Sequence, residues 1–197
     1  MKKYKFPILL AVGIVLVGVS LCLVVGMQIR SHIGAGVSQR ALEQMKQLLP
    51  ERVSATPGAY PNRNMPVLSL DGRDYVALLE IPEMGLSFPV ADRWEPDKLQ
   101  DSPARFCGSA YDHTLVIGGA ADSHQFSFCN TVETGTLVTV TDMTGAHFTY
   151  RLPRVDRADS AQAQWLADPQ YHLTLFCRGT YSMEYLAVRC RFVSGGY

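Results

Sequence analysis

The first long feature of the chain is an uncharged apolar run from Phe6 to Met27, with Lys2, Lys3 and Lys5 before it and Arg30 close behind. About twenty such residues are needed to cross a bilayer core as a helix. The lysine bias predicts a cytoplasmic N-terminus and an extracellular bulk. A cleaved signal peptide is the rival reading, but its apolar region runs about 7–15 residues and ends at a small-x-small site. Gly26-Met27-Gln28 is a poor site of that kind, so the run predicts an uncleaved signal anchor. Next, Val37, Ala41, Met45, Leu48 and Leu49 recur at helical spacing, with Gln39, Arg40, Glu43 and Lys46 between them. They predict a short juxtamembrane helix over 37–49. Pro50 to Pro66 reads as a linker, and helix and linker together as a stalk that lifts the following domain off the membrane. The expected plan is a cytoplasmic tail over 1–5, a span over 6–27, juxtamembrane helix and linker over 28–66, and a folded domain over 67–197.

From Val67 onward the period shortens towards two. Strands are predicted over Tyr75–Ile81 (ended by Pro82), Leu86–Val90, Thr114–Ile117, Thr136–Thr141, His147–Leu152, Leu173–Cys177 and Tyr185–Val193. Asp142-Met143-Thr144-Gly145, between two of these runs, is a hairpin signal. Short helices are expected near Pro96–Gln100 and Ser160–Ala167. About seven to eight short strands with few helices predict a mainly β barrel or sandwich.

Charge removes some function classes. Lys plus Arg and Asp plus Glu both number 18, so there is no basic excess to hold nucleic acid. His113, His147 and His172 lie in or beside different strands without metal-ligand spacing, no C-x-x-C pair exists, and Gly118-Gly119 is not a phosphate-binding loop. No metal and no cofactor is expected. Beyond Cys22 in the apolar run, Cys107, Cys129, Cys177 and Cys190 would face an oxidising exterior, and four cysteines allow three pairings. Asp112 beside His113 reads as a turn rather than a dyad.

The candidate chemistry lies in Tyr171-His172-Leu173-Thr174-Leu175-Phe176-Cys177-Arg178-Gly179, an apolar strand that ends on a thiol beside a cation. Such a setting suits an activated nucleophile.

Five segments in order resemble the sortases of Gram-positive bacteria, in particular the class B-like ones. They are Leu79–Val90, Gly108-Ser109-Ala110-Tyr111, Leu115-Val116-Ile117-Gly118-Gly119, Val140-Thr141-Asp142 and Leu173-Thr174-Leu175-Phe176. The resemblance implies a sortase-like closed β-barrel behind one transmembrane helix. It also implies cysteine transpeptidase chemistry, with a thiolate nucleophile, a histidine that protonates the leaving amine, and an arginine that holds substrate or oxyanion. At those positions this chain differs. Ala120 follows Gly119 where the family has histidine, and counting without a gap puts Arg178 at the nucleophile and Tyr185 at the arginine. On that register Cys177 takes the family's threonine position and points away from the cleft, while Arg178 points into it. A one-residue deletion before Cys177 would restore the nucleophile but shift its neighbours.

The expectation is a membrane-anchored extracellular sortase-like domain that has lost transpeptidase activity. It would bind a sorting-signal peptide, a pilin or an active sortase, with Arg178 pairing a ligand carboxylate. The alternative is an active sortase that uses Cys177 with a relocated acid such as His124, on a short helix one turn from Ala120.

Overall fold

Tyr75 to Ile81 alternates only loosely, because both faces of its strand are covered. The reason is visible in the computed structural model, which describes residues 5–59, 64–122, 124–160, 162–179 and 184–193, with side chains described over 13–26 and from 34 onward. In chain order the strands are β1 (Val53–Ser54), β2 (Leu68–Leu70), β3 (Arg73–Ile81), β4 (Leu86–Ala91), β5 (Ala104–Cys107), β6 (Leu115–Gly118), β7 (Leu137–Asp142), β8 (Ala146–Ala158), β9 (Leu173–Arg178) and β10 (Tyr185–Phe192). Their pairing runs β3-β4-β5-β6-β9-β10-β8-β7 and back to β3, an eight-stranded closed barrel. β1 and β2 are short additions on β8 and β3. Closure removes the exposed edges that an open sheet of this length would carry.

All seven predicted strands are present, with ends shifted by a residue or a few, most at β8. β5 was not foreseen. Ala104-Arg105-Phe106-Cys107 mixes charge with apolar residues and pairs β6 through an irregular register, so it carries no clean alternation. The expected helix at 96–100 is a 3-10 turn over Pro96–Lys98, and the one at 160–167 is α2 (Ala163–Leu166). The hairpin after β7 forms as read. Asp142, fully buried, accepts there from Thr144 N (2.8 Å), Thr144 Oγ1 (2.8 Å) and Ala146 N (2.9 Å), and Tyr111 Oη donates to its other oxygen. Four donors satisfy this buried carboxylate.

The barrel interior is filled by alternate residues of each strand, among them Leu79, Val90, Ile117, Val140, Phe148, Leu175 and Val188, all exposed by 1% or less. β3 is covered on its other face too, where Tyr75 and Leu78 pack beneath Ala41 and Met45.

Those two residues belong to α1 (Lys5–Leu48), a continuous helix of 44 residues. The separate helix expected over 37–49 is its C-terminal part. The stalk reading needs correction as well. Val53–Ser54 pairs with β8, Arg52 bridges Glu80 at 2.7 Å, and Met65 is buried, so helix and linker lie against the barrel. Burial of Ala41 and Met45 favours that docking, which helical spacing alone did not reveal. Residues 60–63 of the expected linker lie outside the described residues. Over 13–26 the helix is exposed and apolar. Among the described residues no helix is long and apolar enough to cross a membrane, and the expected span over 6–27 lies partly outside the described side chains.

Candidate functional site

On β6, β9 and β10 the side chains alternate strictly between barrel interior and outer face. Leu173, Leu175 and Cys177 point inward with Leu186, Val188 and Cys190. Val116, Phe176 and Ala187 belong to a separate outer cluster. Gly118 pairs with Phe176, Phe176 with Ala187, and Thr174 with Arg189. Arg178, exposed at the end of β9, is the cross-strand partner of Tyr185, which is half-buried. Ala120 lies two residues past Gly118 at the same end of the sheet, just after Gly119 N donates to Phe176 O at 3.0 Å. The three positions singled out by the resemblance, Ala120, Arg178 and Tyr185, therefore sit at one end of one face.

Cys177 is elsewhere. It is 1% exposed, inside the barrel, and its Sγ donates to Phe126 O at 3.5 Å. The neighbouring Cys129 thiol, as a hydrogen-bonding partner of the thiolate, draws the Cys177 pKa below the usual thiol value against the opposing effect of burial. Burial, followed by the influence of Cys177, pushes Cys129 well above it. Both shifts arise within the core, with no histidine or arginine among their causes.

His124 is not on a helix. It lies in a turn, its N–H donating to Asp122 Oδ1 at 2.9 Å, and the 3-10 turn that follows begins only at Phe126. Its side chain lines a groove of about 290 Å³ between α1 and the start of β4, with Ser38, Gln39, Lys46 and Ser87. Gln125 braces the chain after Ala120. Its Oε1 accepts from Ala120 N (3.1 Å), and its Nε2 donates to Leu99 O (2.6 Å) and Gln100 O (3.0 Å).

The outer face carries an aromatic cluster that the sequence reading missed. Trp94 and Phe106 pack on Phe176 at 5.3 and 5.5 Å, and Trp94 meets Phe106 edge-on at 5.3 Å. A Cβ on Gly118 would lie 2.3 Å from the Trp94 ring and 2.6 Å from Phe176, so glycine there lets the indole rest on the strand. Trp165, on α2, and Tyr185 complete the cluster. Both tryptophans of the chain thus lie on this face, half-exposed. Two isolated tryptophans in unpatterned segments were the only signal available. Beside them is a groove of about 520 Å³ whose wall includes Trp94, Phe106, Cys107 and the Arg105–Asp92 ion pair.

Arg189 belongs to the scaffold. Fully buried, it donates to Asp156 Oδ2 (3.0 Å), Leu166 O (3.0 Å), Trp165 O (2.6 Å) and Thr174 Oγ1 (3.2 Å), and it lies over the Trp165 ring at 4.8 Å. The His113 and His172 rings lie 4.2 Å apart, tilted by 43°, where His172 leads into β9 at Leu173. Among the described residues no group of three His, Cys, Asp or Glu is arranged to hold a metal.

Compared as a sequence, the chain matches no family model and no curated protein. Its structure is similar to sortase A from Corynebacterium diphtheriae, with a TM-score of 0.56 at 20% identity over 63% of each chain. The fold is that of a sortase. Sortase C1 from Streptococcus agalactiae matches with a TM-score of 0.54 at 18% identity over 65% of this chain and 72% of that one. Sortase C1 from Streptococcus suis matches with a TM-score of 0.53 at 17% identity over 62% and 74%. These structures are of classes A and C, so the likeness is to the barrel that the classes share. It spans less than two thirds of the C. diphtheriae protein.

Proposed function

We propose that this chain is a membrane-anchored, extracellular sortase-fold domain that has lost cysteine transpeptidase chemistry and works by binding. Its ligand would be a sorting-signal peptide, a pilin or an active sortase, held on the outer face of β6, β9 and β10. One observation carries this reading. Cys177 points into the barrel while its neighbour Arg178 points out, so a ligand on the outer face meets a guanidinium where a thiolate would be needed. Ala120 can neither give nor take a proton there. Trp94, Phe106, Trp165 and Tyr185 offer the apolar and aromatic area on which a peptide packs, and Arg178 suits a carboxylate. Anchoring by the run from Phe6 to Met27 and the class B-like assignment rest on the sequence alone.

The test is binding of a sorting-signal peptide to the full chain, together with turnover. Binding without cleavage, weakened about tenfold by Arg178→Ala, fits a lost charge-assisted pair of roughly 1.4 kcal/mol. Cleavage that disappears in Cys177→Ala would overturn the reading.

The lowered Cys177 pKa favours a second reading, an active transpeptidase using Cys177 with His124 as the acid. It requires the 3-10 turn over Phe126–Asn130 to move and uncover the thiol. Rapid, selective alkylation of Cys177 in the reduced native chain at neutral pH would support it.

A further inference from the structure

Residues 146–197 carry six arginines and no lysine against four acids, Asp156, Asp159, Asp168 and Glu184, in a chain whose charges balance overall. Four of these arginines form one patch. Across the β8–β10 pairing Arg151 is directly opposite Arg191 and Arg154 is opposite Arg189, with an irregularity of register between the two pairs. Tyr150, Leu152 and Val155 on β8, and Val188, Cys190 and Phe192 on β10, pack with the barrel core. The arginines beside them therefore leave the sheet on its outer face. One carboxylate serves the patch. Asp156 accepts from Arg189 at 3.0 Å and also pairs with Arg154. Among the described residues, the ion pairs of these strands involve Arg154, Arg157 and Arg189 but neither Arg151 nor Arg191. Arg189 is fully buried, whereas Arg151, Arg154 and Arg191 are exposed.

Like charges directly opposite in a sheet destabilise it, because such side chains leave the backbone about 5 Å apart. The fold keeps Arg151 and Arg191 in that position and holds each from its own side. Arg151 Nη1 donates to Gly135 O at 3.3 Å, next to β7, and the Arg191 guanidinium lies 5.6 Å from the centre of the Tyr171 ring, next to β9. Guanidinium forks match the oxygens of carboxylates and phosphates, and charge decides between the two. A carboxylate brings one negative charge. A phosphate monoester brings about −1.5 to −2 at neutral pH with three acceptor oxygens, which matches two cations that have no acidic partner. We propose that the outer face of β8 and β10 at Arg151 and Arg191 binds a phosphate monoester, with Arg154 beside it adding to the positive field. Arg191 lies about 20 Å along β10 from Tyr185, the partner of Arg178. The inference is therefore independent of peptide binding on the other face.

The full-length chain in detergent is titrated, slightly above neutral pH and at constant ionic strength, with glycerol phosphate, inorganic phosphate and glutarate. Binding is read from phosphorus line broadening for the phosphates and from Tm for all three. Glycerol phosphate should bind saturably and raise Tm. Arg151→Gln and Arg191→Gln should each weaken it about tenfold. Arg157→Gln, which removes an exposed arginine outside the patch, should leave it unchanged. In the ligand-free chain, a double-mutant cycle by urea unfolding should show Arg151 and Arg191 repelling each other. Absence of saturable binding, equal binding by the Arg151 and Arg191 variants, or an equal loss in Arg157→Gln would overturn the proposal. So would glutarate binding as tightly, which would assign the face to acidic peptides, or inorganic phosphate binding where glycerol phosphate does not. The double-mutant cycle checks the strain at the site without any ligand, and an attractive coupling there would also sink the idea.

Discussion

At the residue scale, the contrast between Cys177 and Arg178 organises the site. Successive strand residues face opposite ways, so one register step separates a thiol in the core from a cation in solvent. In the reduced native chain, a soluble alkylating reagent should modify half-exposed Cys107 faster than Cys177, even though Cys177 has the lower pKa, because burial limits access. Arg178→Cys should create a thiol that reacts faster than Cys177, and mass mapping of the labelled sites checks both orders. Gly118 is the second decisive residue. Gly118→Ala drives a methyl group into Trp94 and Phe176, and overpacking of that kind should cost about 2 kcal/mol in urea unfolding and shift the tryptophan emission. The ungapped register already puts the Cys177 and Arg178 side chains on opposite faces, with Cys177 away from the cleft. That the barrel encloses Cys177, and that Trp94 and Phe176 crowd Gly118, were not legible beforehand.

At the element scale, Arg189 holds α2 onto β9 and β10 through the carbonyls of Trp165 and Leu166 and through Asp156. Arg189→Ala leaves those carbonyls unmatched and takes from Asp156 a buried partner. It should cost about 3 kcal/mol, measured by denaturant unfolding, and loosen the face that carries Trp165. The neighbouring rings of His113 and His172 add a pH dependence. Burial above all lowers each pKa below the ordinary 6.5, with His172 adding to the effect on His113 and Arg191 to that on His172. Below about 6.5 the unfolded chain therefore binds more protons than the folded one, so stability falls as the pH drops. Tm should decrease on acidification from pH 7 towards 5, and His113→Asn should flatten that slope. The strands themselves were readable because each buries one face against a common interior. β5 was not, since its partners β4 and β6 supply the order its own residues lack.

At the scale of the whole molecule, α1 is part of the folded unit. Ala41 and Met45 cover Tyr75 and Leu78, which are 2% and 0% exposed beneath them. Met45→Ala should cost about 2 kcal/mol of stability. A fragment starting at Asn62, late in the expected linker, should melt at a lower temperature and aggregate more readily than one starting at Gly34, as scanning calorimetry and light scattering would show. The shorter fragment loses β1, the Arg52–Glu80 bridge and the cover over β3.

The sequence by itself determined the β-rich barrel, most of its strands and the resemblance to sortases, because alternation and turn residues are local properties of the chain. It also singled out Ala120, Arg178 and Tyr185, which the fold brings to one end of the sheet. Only the tertiary structure decided that Cys177 is enclosed in the barrel, that Trp94 rests on Gly118 in one cluster with Trp165, and that the turn bearing Phe126 and Cys129 packs on β9. Those are contacts between segments far apart in the chain, fixed by closure of the barrel, and no local pattern encodes them.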